Sequence, residues 1–332
     1  MKKISIFVLL LSSLVLTLNA QENSMQWLSV KGNKIVNEDG KTMMFHGINV
    51  ADPDKLAKAE KWEKALFEEV KDWGANIVRL PIHPRAWRER GKEDYLKLLD
   101  QAVEWANELE LYLIFDWHSI GNLRTELYQH PMYNTTKKET FEFWKIIADR
   151  YKEEPAVAFY ELFNEPTTAN NTHGSLTWAE WKEILIDMIV IVKANNPKAI
   201  PLVAGFNWAY DLTPLKNDPI MMDGIAYVSH PYPQKREQPW EPQWQNDFGF
   251  IASQAPLMLT EVGFALPEEK GVHIPVYGDE TYGKALVEYA DKIGAHWVVW
   301  VFDPDWSPMM IKDWDFTPTR QGAFFKEVMQ ND

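Results

Sequence analysis

The 332-residue sequence has no cysteine. That removes thiol catalysis, cysteine-ligated zinc, iron–sulfur clusters and disulfide staples together. The fold has to be held by its packed core. Positive charge is also in short supply: 34 Lys and Arg stand against 48 Asp and Glu, a net charge of −14. Phosphate backbones need a basic footprint, so nucleic acid is excluded as a partner. No Gly-x-Gly-x-x-Gly follows the first apolar run, which leaves a nucleotide-binding doubly wound sheet without support. Past residue 20, no stretch is apolar for long enough to span a bilayer.

The first 20 residues read separately: Met1-Lys-Lys, an apolar run from Ile4 to Leu18, then Leu18-Asn-Ala20 before Gln21. This pattern predicts a secretory signal peptide over 1–20 rather than a membrane anchor, and hence a secreted or periplasmic protein. Removing it takes away Lys2 and Lys3 and makes the mature surface more acidic. The absence of a cysteine near position 20 argues against a lipoprotein anchor. Residues 21–332 contain no Pro/Ser/Gly linker, so one catalytic domain is expected, as a monomer. The Asn134-Thr-Thr136 and Asn170-Asn-Thr172 sequons carry no weight beside a leader of bacterial type.

Apolar runs of strand length recur at 43–49, 76–80, 111–116, 157–163, 200–204, 225–229, 256–261 and 296–301. Helical periodicity lies between them, as in Trp62, Leu66, Val70, Trp73 and in Tyr282, Leu286, Tyr289, Ile293. Eight β/α units predict a parallel (β/α)8 TIM barrel. Turn signals at Lys31-Gly-Asn33 and Glu38-Asp-Gly40 add a small N-terminal β-hairpin. Stretches 231–242 and 265–279 read as long loops on the catalytic face. Sixteen Trp and twelve Tyr are enough to line a sugar groove even if most of them serve packing.

The strand ends carry the chemistry. Phe159-Tyr-Glu-Leu-Phe-Asn-Glu-Pro-Thr167 is apolar almost throughout and then delivers Asn164, Glu165 and Pro166; Ala255-Pro-Leu-Met-Leu-Thr-Glu261 ends likewise. Pro166 is expected to end the ladder, and Glu165 and Glu261 to face a cleft. Around them come Arg79-Leu-Pro81, Asp116-Trp-His118, Ser229-His-Pro-Tyr232 and Trp300. Two carboxylates across a cleft can protonate a leaving oxygen and attack an anomeric carbon. A cation such as Arg79 beside one would keep that one charged and leave the other protonated. No strand end offers the lysine of a Schiff-base aldolase, and strand 1 has only the single His46 of a metal-ligand pattern.

These landmarks, with Leu162-Phe-Asn-Glu-Pro166 and Leu259-Thr-Glu261, resemble glycoside hydrolase family 5 of the retaining (β/α)8 clan, cellulase-like, over essentially the mature chain. The resemblance implies Glu165 as general acid/base and Glu261 as nucleophile. It implies Asn164 on the sugar 2-hydroxyl, Arg79 and Tyr232 steadying the nucleophile, and His118 and His230 binding or orienting at the cleavage point. Trp300 would be the platform beneath the sugar, and Trp208 could line the groove or pack. Phe45-His-Gly-Ile-Asn49 departs from the family in carrying His46 where many relatives have Arg, and His46 is expected to be structural. No cofactor and no metal are implied. The expected function is a secreted retaining endo-β-1,4-glucanase acting on cellulose or a related β-glucan polysaccharide or oligosaccharide. β-Mannanase, xyloglucanase or β-glucosidase activity is the alternative within the family. A non-catalytic glycan-binding barrel would lack one of the two glutamates, and a sugar-phosphate lyase or isomerase would need a phosphate-cradling turn.

Overall fold

The computed structural model describes residues 25–331, so the leader expected over 1–20 lies outside the described residues. Eight strands, β1 (His46–Val50), β2 (Ile77–Ile82), β3 (Tyr112–Trp117), β4 (Val157–Glu161), β5 (Ile200–Ala204), β6 (Ala226–Val228), β7 (Leu257–Val262) and β8 (His296–Phe302), follow the eight apolar runs. They close into a barrel in chain order, β8 pairing with β1, with every neighbouring pair parallel. The expected (β/α)8 barrel is therefore present. Except for His46 at its start, every barrel-strand residue is buried. Strands covered on both faces have no solvent side to alternate with, which is why they read as continuous apolar runs.

Two helices are fastened by tryptophans whose buried indole N–H groups find carbonyl partners at strand ends. Trp144, on the helix Lys137–Arg150, donates to the Leu162 carbonyl just past β4, and Trp181, on Trp178–Asn195, donates to Ala204 at the end of β5, both at 2.9 Å. Each helix is thus tied to the strand that follows it. Thr136, Thr177 and Asp279 cap their helices, Thr177 forming a reciprocal capping box with Glu180.

The N-terminal hairpin pairs Ser29–Lys31 with Lys34–Val36. Asn33 donates to the Ala252 carbonyl ahead of β7, and the Tyr112 hydroxyl at the start of β3 donates to Gln26. Phe45 packs edge-on against Tyr112 and Phe159, each with centroids 5.4 Å apart. The hairpin therefore closes the end of the barrel opposite the C-terminal strand ends. His46 lies at that closed end, stacked on Trp297 at 4.4 Å, a packing contact in keeping with a structural role.

The structure differs from the sequence reading in three local respects. The helix carrying Leu66 and Val70 is Lys64–Asp72 and excludes Trp62, because Glu63 is extended at its N-cap; Trp62 instead packs on Phe67 and Trp105. The fourth run leaves the barrel at Glu161, and Glu165–Pro166 pairs with Ile120–Asn122, itself paired with Leu127–Tyr128, in a separate small sheet. Pro166 is compatible with a strand here because it lies on the sheet's edge, where its missing N–H breaks no ladder. The stretch 231–242 runs into the helix Trp240–Asp247, with Pro242 in the first turn, where an N–H has no intrahelical partner in any case. Among the described residues no helix is long and apolar enough to cross a membrane.

Gly47 marks where the barrel wall is tightest. A Cβ there would sit 2.2 Å from the Ile77 carbonyl oxygen of β2. Gly47→Ala is expected to cost about 1–3 kcal/mol of stability, read as a lower denaturant midpoint with unchanged slope. KM should not change, because the site lies at the other end of the barrel.

Candidate active site

The C-terminal mouth is built on one fully buried guanidinium, Arg79 of β2. Its Nε and Nη2 donate to Glu161 Oε2 and Oε1 at 2.7 and 2.9 Å, a two-point grip on the last residue of β4. Nη1 donates to Asn49 Oδ1 at 2.9 Å and to Glu261 Oε1 at 3.0 Å. Nη2 also reaches Asn164 Oδ1 at 2.7 Å and Asp116 Oδ2 at 3.0 Å. Asn49 in turn donates to the Thr260 carbonyl on β7 at 2.9 Å. Burial would raise the Glu161 carboxyl, but the Arg79 charge and hydrogen bonds, with His230 3.6 Å away, outweigh it and hold the pKa at about 2. Asp116 is pushed well above the usual carboxylate range by burial, against the pull of Arg79.

Glu165 and Glu261 meet above this layer. Glu165 enters from the edge strand after β4, while Glu261 comes from β7 beside an irregularity in β7–β8 pairing between Leu259 and Val262. One oxygen of each lies within 4.8 Å of the other and of a His230 nitrogen. The Tyr232 hydroxyl donates to Glu261 Oε2 at 2.9 Å, so Arg79 and Tyr232 hold one oxygen each. Burial raises the Glu261 carboxyl; His230, Arg79 and the Tyr232 hydrogen bond oppose this, and Glu165 reinforces it. His230 is fully buried, with Nδ1 3.1 Å from Glu165 Oε1 and Nε2 3.0 Å from Thr260 Oγ1. Burial would strip its proton, yet Glu261, Glu161 and Glu165 outweigh that and hold its pKa at about 9. Glu165, His230 and Glu261 form the one group among the described residues spaced to hold a metal ion. Arg79 and a protonated His230 already supply positive charge there, and a cation would add to it.

A cleft of about 650 Å³ opens over the two glutamates, lined on its apolar side by Tyr133, Trp208, Tyr232, Trp300 and Trp306. Trp300 is stacked parallel to His118 at 5.2 Å and to Trp306 at 6.1 Å. His118 is oriented by Asp116 Oδ2 at 2.6 Å, and burial together with His83, Arg79 and His230 drives its pKa well below the normal histidine value. Trp208 rises on a turn in which Asn207, Trp208 and Ala209 are all left-handed, with φ between 54° and 57°. Such a conformation costs non-glycine residues roughly 1–2 kcal/mol each. Reciprocal bonds between Phe206 and Asp211 and a bond from Trp208 N to the Pro166 carbonyl hold it. Gly205 precedes it because a Cβ there would lie 2.0 Å from the Asp211 carbonyl oxygen. The Trp208 indole donates to Gln129 at 2.8 Å, and the Lys235 ammonium sits 5.1 Å from its ring.

Of the residues singled out in the sequence, Glu165, Glu261, His118, Asn164, Trp208, Tyr232 and Trp300 line the cleft. Arg79 and His230 do not. Both lie fully buried behind the glutamates, in contact with their carboxylates. Nor does Arg79 serve one carboxylate alone, as the sequence suggested; its charge is shared among Glu161, Asp116 and Glu261. Sequence reasoning missed Glu161 and Thr260. Glu161 had a signal, a lone carboxylate in a strand otherwise apolar, which a buried sheet admits only with a partner. Thr260, like Trp306, Lys235 and Gln129 in the cleft wall, had none.

A (β/α)8 barrel with two close carboxylates on the floor of an aromatic-lined cleft at its C-terminal mouth has the architecture of a glycoside hydrolase. The family model for cellulase, glycosyl hydrolase family 5, matches residues 36–305, and the chain belongs to that family. An endoglucanase of Paenibacillus polymyxa is 25% identical over 86% of this chain and 82% of its own length. Endoglucanase A of Butyrivibrio fibrisolvens is 30% identical over 62% of this chain and 45% of its own. The crystal structure of a β-glucanase from Saccharophagus degradans in complex with cellotetraose is 53% identical, covers 93% of this chain and 94% of that one, and superposes with a TM-score of 0.92. The catalytic domain of a Thermobifida fusca endoglucanase shares the fold at 18% identity and a TM-score of 0.74.

The Arg79–Glu161 pair should be visible in a pH titration of stability. The folded carboxyl titrates near 2 against a reference of 4.5, so its contribution is complete above about pH 4.5 and is lost as pH falls toward 2. Glu161→Gln should cost about 3–5 kcal/mol near neutrality, the usual cost of breaking a buried pair. The difference from wild type should shrink between pH 4.5 and 2, measured by urea unfolding at each pH.

Proposed function

We propose that the protein is an endo-β-1,4-glucanase that cleaves β-1,4-glucosidic bonds of cellulose or a related β-glucan with retention of anomeric configuration. The observation that carries this reading is the pair Glu165 and Glu261, with oxygens within 4.8 Å. That close approach suits direct attack by one carboxylate, as in a retaining enzyme. Membership of the cellulase family and the similarity to a β-glucanase crystallised with cellotetraose support the choice of a β-glucan.

Glu261 is the nucleophile in this reading. Arg79 and Tyr232 each hold one of its oxygens, which orients it and stabilises the ionised form against the cost of burial. Glu165 protonates the glycosidic oxygen as the C–O bond breaks, then takes a proton from the water that releases the glycosyl group from Glu261. Asn164 is suited to the sugar 2-hydroxyl. Its Oδ1 is occupied by Arg79, while its Nδ2 is buried in the cleft wall without a partner in the protein. An unmet buried donor is costly until a ligand accepts from it, so the bond strengthens where charge develops at the transition state. His118, held by Asp116, and the indole of Trp300 form the adjoining wall, and Trp208, also in the cleft lining, is a platform for a further sugar. In the same reading residues 1–20 export the enzyme to its polymer.

Carboxymethyl cellulose, mixed-linkage β-glucan, xyloglucan and β-mannan tested side by side check the substrate, with proton NMR following the anomer first released. A glucan should be cut to mixed oligosaccharides with the β-anomer appearing first. Glu261→Ala should abolish turnover, and Glu165→Ala should lower it about 10²–10⁴-fold on unactivated substrates. Cleavage of mannan alone would remove the glucanase assignment and keep the chemistry; first release of the α-anomer would remove the double displacement.

Both proton transfer and attack are supplied by carboxylates in this mechanism. Activity is therefore expected to survive exhaustive chelation unchanged, and a loss restored by added divalent cation would overturn that.

A further inference from the structure

The fully buried Thr260 and Glu161 have no place in the mechanism above, yet they determine how His230 can be protonated. Glu161 is gripped at both oxygens by Arg79, and its carboxylate can only accept. The Thr260 hydroxyl donates its single proton to Glu161 Oε1 at 3.1 Å. It therefore faces His230 Nε2, 3.0 Å away, as an acceptor, and Nε2 must carry a proton. The other ring nitrogen, Nδ1, lies 3.1 Å from Glu165 Oε1 and 3.8 Å from Glu261 Oε2.

We propose that Thr260 and Glu161 are positioning residues for the reaction: they lock the His230 proton at Nε2, away from the cleft, so that Nδ1 is free to share one proton with Glu165. The proposal rests on the acid/base reading of Glu165. With the shared proton on Glu165, Nδ1 accepts and the acid is ready to protonate the leaving oxygen. When that proton departs with the cleaved sugar, Glu165 is left as a carboxylate, and it is restored by the proton of the attacking water. With the shared proton on Nδ1, an imidazolium faces the Glu165 carboxylate. Its charge is then stabilised from behind by the Thr260–Glu161 chain.

The charged and titratable groups around the ring are Glu161 on β4, Glu165 after it, Glu261 on β7, Arg79 on β2, Asp116 and His118 at the end of β3, and Tyr232 two residues along. Glu161 Oε1 lies 3.6 Å from Nε2, beyond hydrogen-bond reach, and its hydrogen-bonded link to the ring runs through Thr260, so the bridge can be removed while every charge stays in place. Thr260→Val does this with little change of volume. Without the acceptor at Nε2 the imidazolium is less stable, and the Glu165–His230 pair binds its proton more weakly. The titration belongs to the pair rather than to either residue.

The test is the pH dependence of kcat/KM for wild type, Thr260→Val and Thr260→Ser. Two aryl β-cellobiosides serve as substrates, one with a poor leaving group and one with a dinitrophenyl group that departs without acid. On the poor leaving group the basic limb of Thr260→Val should move about one pH unit toward acid, a roughly tenfold loss above it, and Thr260→Ser should restore it. On the dinitrophenyl substrate the limb should stay in place, whereas a merely structural defect would depress both substrates at all pH values. If Thr260→Val does not fold, Thr260→Ala carries the test, removing the same hydroxyl with every charge in place, and should shift the limb in the same direction. A basic limb that coincides with wild type, or a serine variant that behaves like valine, overturns the proposal. Glu165→Ala separates the two readings. If it spares the dinitrophenyl substrate alone, the acid/base assignment stands whatever Thr260 does; if it spares both substrates, that assignment has failed.

Discussion

A guanidinium without water is the constraint on which this molecule turns. Arg79 is fully buried and its five N–H groups are all engaged, by Asn49, Asp116, Glu161, Asn164 and Glu261. Taking such an ion out of water costs several kcal/mol, and the cost is offset only where every partner is in place. The partners sit on or just past β1, β3, β4 and β7, so the charge is compensated only when the barrel has closed in register. Closing the barrel and assembling the site are in this sense one event, and the placing of Glu261 follows from the packing that stabilises the fold.

The same layer sets the electrostatics of the cleft above it. Glu161 stays ionised because Arg79 and the His230 side are against it, while burial pushes Asp116 and Glu261 the other way and the surrounding carboxylates raise the pKa of His230 to about 9. Carboxylates a few ångströms apart thus have different proton affinities because each has a different share of two cations. A site that must both donate and accept protons needs such a separation. The buried residues Glu161 and Thr260 belong to the same hydrogen-bond network.

Aromatic residues divide by depth. Trp73, Trp117, Trp144, Trp181, Trp244 and Trp297 are fully buried, Trp117, Trp144 and Trp181 tying helices to strands, whereas Trp208, Trp300 and Trp306 face the cleft. Composition could not separate the two sets, since an indole serves equally well as a packing unit and as a sugar platform. What presents Trp208 is a left-handed three-residue turn held by backbone bonds to Asp211 and Pro166. Strain of that kind persists only where surrounding structure over-determines it.

The barrel, its closing hairpin and the two glutamates were legible in the sequence. Strands buried on both faces must be apolar nearly throughout, and a carboxylate delivered at the end of such a run must face a cleft or, like Glu161, find a buried partner. Local pattern suffices for that, because burial and strand period act over a few residues. The rest depended on contacts between segments far apart in the chain. That Glu161 is a partner of Arg79, that Arg79 and His230 stand behind the glutamates and not in the cleft wall, and that Thr260 bridges β4 to His230 are decided by the register of closed strands. The sequence alone determined which side chains reach the mouth of the barrel. Only the tertiary structure decided which of them face the cleft and which face each other, because desolvation and hydrogen-bond pairing depend on every neighbour at once.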